Sequence, residues 1–263
     1  MPLRDLLRDF ALDPELIVTD REVSMGLARA HQRRAEDTPR GDARFTRLLA
    51  SATEYRRAGA HSILLSEWKQ AREMFESAGN VYHVLGIPYG LMMFSFSRDP
   101  GALVDNVPFD RPARDRTQGA YQLLAEAASG RELRTERLEE LASANASPIG
   151  ILGLPVGAYV DLAVALERDG KGGPHIEAAA LPFLVAYSSA VARAFNNSFH
   201  WGMMILPFHP VEPDILSVMF CTEAVLRRRQ RGSLLDFLKA IPLFPAATNL
   251  LYNAFVDRFD DAH

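Results

Sequence analysis

The strongest constraint in this sequence is a run of apolar residues spaced for one face of a helix. Leu64, Trp68, Ala71, Phe75 and Ala78 step by 4, 3, 4 and 3, a recurrence that stacks side chains along one stripe of a 3.6-residue helix. A strand cannot use it, because its side chains alternate with a period of two. Two similar stripes precede it. Phe45, Leu48, Leu49, Ala52 and Tyr55 form one, and Val23, Leu27 and Ala30 form another. Thr19-Asp20-Arg21-Glu22 fits a capping box at the start of the earliest helix. Gly79-Asn80 supplies a left-handed stop after the latest. Repeated helical stripes predict a mainly α protein of antiparallel helix pairs, either helical-repeat-like or an irregular bundle.

The segment 81–97 breaks the pattern. It is uncharged and carries Gly86, Pro88 and Gly90. It reads either as a kinked buried helix or as a short β-hairpin with arms 81–85 and 91–97. Residues 98–113 hold Pro100, Pro108 and Pro112 among Asp and Asn, and form a loop and a boundary. Helices are expected near 114–129, 135–145 and 155–168, the last stopping at Gly170. Another starts at Pro174, has Glu177 in its first turn, contains Pro182 and ends near Phe195. Pro213 opens a helix that ends at Gly232, behind Arg227, Arg228, Arg229 and Arg231. A short final pair begins at 233–236.

Charge is unevenly placed. Residues 1–80 contain 13 basic and 13 acidic residues, whereas 146–220 contain three basic and six acidic ones. Burying unpaired charge is costly. We therefore expect 1–98 to form a charged, solvated helical layer and 114–263 an apolar helical core region, the two making separate units or one continuous domain.

Composition removes several function classes. The lone cysteine, Cys221, cannot close an internal disulfide or build a thiolate metal site. A net charge of −4 gives no reason to expect nucleic acid. The N-terminus lacks a secretory pattern and no run is apolar enough for a transmembrane helix, so a cytoplasmic location is expected. Of the 29 basic residues 26 are Arg, but they are scattered among acids and outline no anion-binding stripe.

Stretch 52–79 resembles a single tetratricopeptide repeat, a family of paired helices that stack into binding scaffolds. Tyr55, Gly59, Ala71, Phe75 and Ala78 occupy the family's small and large packing positions. Ser62 and His83 stand where that family prefers an aromatic residue and a proline. Thirty-four residues on, Met93 and Asp105 occupy the glycine and first alanine positions, so no second copy follows. The resemblance implies a helical hairpin.

Motifs for chemistry are sparse. The seven histidines form no His-Glu-x-x-His or Glu-x-x-His pattern. His175-Ile176-Glu177 has a deaminase-like spacing without the paired cysteines. No Gly-x-Ser-x-Gly elbow is present, and Cys221 lies in an apolar helical run. The glycine-rich turn 169–174 lacks the Walker order. No metal or cofactor is therefore expected.

The segment 200–209 is the most suggestive. It places Trp201, Phe208, His200 and His209 on a charge-free, Pro- and Gly-interrupted stretch, a composition found in interface anchors and ligand pockets. It also shares an aromatic-Gly-Met-Met pattern with 89–96. His200, Trp201 and His209 are the candidate ligand or partner contacts, with Asp161 and Glu177 as accompanying polar groups. The leading functional expectation is a non-enzymatic interaction protein, adaptor-like or immunity-like, bound to another protein or to itself. The alternative is an all-α enzyme or binder of an apolar small molecule, with its pocket in 150–225.

Overall fold

The computed structural model describes residues 13–87, isolated positions from 119 to 149, and residues 154–168, 175–196, 213–228 and 233–259. Among them stand eight helices: α1 Pro14–Glu36, α2 Asp42–Leu64, α3 Trp68–Val84, α4 Val156–Arg168, α5 Ile176–Asn196, α6 Pro213–Arg228, α7 Leu234–Ala240 and α8 Pro245–Phe259. Two two-residue strands, β1 Pro148–Ile149 and β2 Leu154–Pro155, pair antiparallel with Ile149 opposite Leu154. The protein is mainly α, as its periodicity predicts. Helical positions between 119 and 127 bury Ala120, Leu123, Leu124 and Ala127 at helical spacing.

Local chemistry sets the helix ends, and two of them differ from expectation. α1 begins at Asp13, whose carboxylate accepts the Glu15 N–H at 2.9 Å, with Pro14 in the first turn. Thr19 is therefore inside the helix, and its hydroxyl donates to the Glu15 carbonyl. The capping-box pattern at 19–22 is unused because its N–H groups are already helical. α3 likewise runs through Gly79-Asn80 and stops at Gly86 (φ 66°). There the Gly86 N–H reaches the His83 carbonyl and the Ile87 N–H that of Tyr82, both at 2.9 Å, a left-handed cap that uses orphan carbonyls. Positions 81–84 are thus helical and do not form a hairpin arm, while 88–97 lie outside the described residues. α2 ends with the same cap built on Ser66 (φ 59°), whose N–H meets Ile63 and whose follower Glu67 meets Ser62.

α1 to α3 form two successive antiparallel pairs. Between α2 and α3, Gly59 permits a very close approach: a Cβ there would stand 2.9 Å from the Phe75 ring. The tetratricopeptide-like positions Tyr55, Gly59, Ala71, Phe75 and Ala78 are all buried, so the implied hairpin is present. Between α1 and α2, the Ser51 hydroxyl donates to the Ala28 carbonyl at 2.9 Å and the Tyr55 hydroxyl to Gln32 at 3.1 Å. Within this N-terminal region residues 58 to 65 are buried without interruption. The last seven residues of α2, 58–64, are therefore covered all round and carry no Asp, Glu, Lys or Arg.

The C-terminal helices share that interior. Trp68, at the start of α3, meets Phe220 of α6 edge-on at 5.7 Å, and Phe220 meets Phe255 of α8 at 5.4 Å. Tyr159 of α4 packs edge-on against Phe183 of α5 at 4.8 Å. The Phe244 N–H, at the entry to α8, donates to the Ser188 hydroxyl of α5 at 2.8 Å.

Candidate functional site

The sequence-derived candidates are placed unevenly. Asp161 is exposed on α4 and Glu177 half-buried in the first turn of α5. His200, Trp201 and His209 lie outside the described residues, as do the glycine-rich turn 169–174 and Arg229 and Arg231. Cys221 falls within α6. Among the described residues no three His, Cys, Asp or Glu side chains come together as a metal site, and no helix is long and apolar enough to cross a membrane.

The structure instead gathers polar groups in the N-terminal helices. Arg21 points inward from α1 and is 7% exposed. Its guanidinium donates to the Glu67 carboxylate in the α2–α3 turn, and to Glu22 at 3.1 Å. A buried guanidinium is tolerated when its charge is paired; Glu67 and Glu22 each accept from one of its terminal nitrogens, while Nε has no hydrogen-bond partner. His61 of α2 is buried nearby. Its pKa falls from 6.5 to about 4, chiefly because burial penalises the cation and further because Arg57 and Arg21 repel it. The imidazole is therefore neutral at pH 7. Arg21 and Glu67 satisfy each other's charge, so this arrangement works as an internal clamp fastening α1 to the α2–α3 turn.

A buried carboxylate joins the C-terminal helices. Glu223 of α6 is fully buried. One oxygen accepts from Arg227 Nε at 2.6 Å and the Ser233 hydroxyl at 2.7 Å; the other accepts the Leu234 N–H at 2.7 Å. Ser233 in turn caps α7 by accepting from the Leu235 N–H. Arg227, part of the Arg run, is thus committed to an internal bond. Sequence reasoning missed both anchors. The spacing of Glu223 and Arg227 by four was a readable signal, whereas Arg21 and Glu67 are 46 residues apart and gave none.

α1 carries large apolar residues on its exposed side as well as on its buried one, unlike the usual amphipathic helix. Towards its neighbours it turns Ile17, Arg21, Ser24, Met25, Ala28 and Ala35. Outward it turns Leu16, Val23 and Leu27, which are 57%, 54% and 43% exposed. At 100° per residue these three fall within a sector of about 40° and run for roughly 16 Å. The Val23, Leu27 and Ala30 stripe is thus not the core face. The cause lies in the contact with α2: small Ser24 and Ala28 let the backbones approach closely enough for Ser51 to bond the Ala28 carbonyl, which leucines there would prevent.

Comparisons with protein-family models, with curated proteins and with solved structures give no match to this chain.

Proposed function

We propose that this chain is a non-enzymatic helical interaction protein, adaptor-like or immunity-like, that binds another protein chain through the outer face of α1. The observation that supports this reading is the exposed apolar stripe of α1, Leu16, Val23 and Leu27. A helix that buries Ile17 and Met25 and yet leaves Leu16, Val23 and Leu27 to water leaves unused a burial gain of about 1.5–3 kcal/mol per large apolar side chain. A contiguous apolar stripe rimmed by charge is the usual mark of a protein contact. Glu67 and Glu223 already accept internal hydrogen bonds. A cytoplasmic location belongs to the same reading, supported by the single cysteine.

The test replaces Leu27 with a photo-reactive phenylalanine analogue, with the same analogue at exposed Val84 on α3 as control. Illumination in cells should give a discrete protein adduct from position 27 and none from position 84. No adduct from position 27, or equal labelling from both, would overturn the reading.

A further inference from the structure

We draw no further inference here: the strongest candidate, the apolar stripe of Leu16, Val23 and Leu27 on the outer face of α1, belongs to the contact surface already described, and nothing in the structure shows what covers it.

Discussion

Alanine at Gly59 and at Gly26 should move stability in opposite directions, although both glycines lie inside helices. At Gly26 of α1 a Cβ would meet nothing within 4 Å. At Gly59 of α2 it would stand 2.9 Å from two ring carbons of Phe75 and 3.0 Å from a third, and Phe75 is fully buried. Gly→Ala in a helix gains about 0.5–1 kcal/mol at either position from backbone entropy. Gly26→Ala should show that gain directly. Gly59→Ala adds an overpacking cost of about 1–3 kcal/mol, because a buried ring cannot rotate away without displacing its own neighbours. The helix term cancels in the difference between the two variants, leaving about 1–3 kcal/mol of steric cost. Urea unfolding followed by helical circular dichroism gives both values, with unchanged slopes confirming that the midpoints report stability. If the two variants agree within about 0.5 kcal/mol, the error expected for independent sites, the close contact between α2 and α3 is not the constraint described. Pairing Gly59→Ala with Phe75→Leu should recover part of the loss.

Three other perturbations follow from the caps and buried charges. Glu223→Ala should destabilise by about 2–4 kcal/mol in the same urea assay, because it strands the buried Leu234 N–H and releases Ser233 and Arg227; Glu223→Gln, which keeps an acceptor, should cost less. Ser66→Gly should stabilise by about 0.5–1 kcal/mol, since glycine adopts the left-handed conformation without a Cβ clash, whereas Ser66→Val should destabilise. For His61 the folded pKa of about 4 lies below the ordinary 6.5, so between these values the unfolded chain binds the extra proton. Stability from this group is complete above pH 6.5 and falls as the pH drops towards 4, by on the order of 3 kcal/mol. His61→Gln should flatten that part of a stability profile measured from pH 7 to pH 4, and an unchanged slope would show that His61 is not its source.

Much of the helical order was readable because its signals are local. Pro213, Pro182 with Glu177, and Ser233 mark features of α6, α5 and α7 that the structure keeps. The Gly59–Phe75 contact was readable through the repeat-like spacing. What the sequence hid depends on contacts between helices. Gly79-Asn80 carries a stop signal, yet Gly79 is buried in continuous helix, and the cap forms where Ile87 can reach back to Tyr82. The facing of α1 was hidden for a related reason. Ile17, Arg21, Ser24, Met25 and Ala28 do not look like a core stripe until Glu67 is known to receive Arg21 and Ala28 to receive Ser51. The site candidates were chosen by composition in 200–209, while the face that now carries the proposal was read as ordinary amphipathicity.

The row from Trp68 through Phe220 to Phe255 has an optical consequence. An indole that belongs to the charge-rich helices is desolvated by rings from the charge-poor ones. Loosening α6 or α8 alone would wet Trp68 and shift its emission to the red, before α1 to α3 lose any helix. With Trp201 replaced by Phe, so that Trp68 is the sole indole, the fluorescence of position 68 reports on contacts made some 150 to 190 positions further along the chain, and a lag between that signal and circular dichroism would time the parting of the two regions.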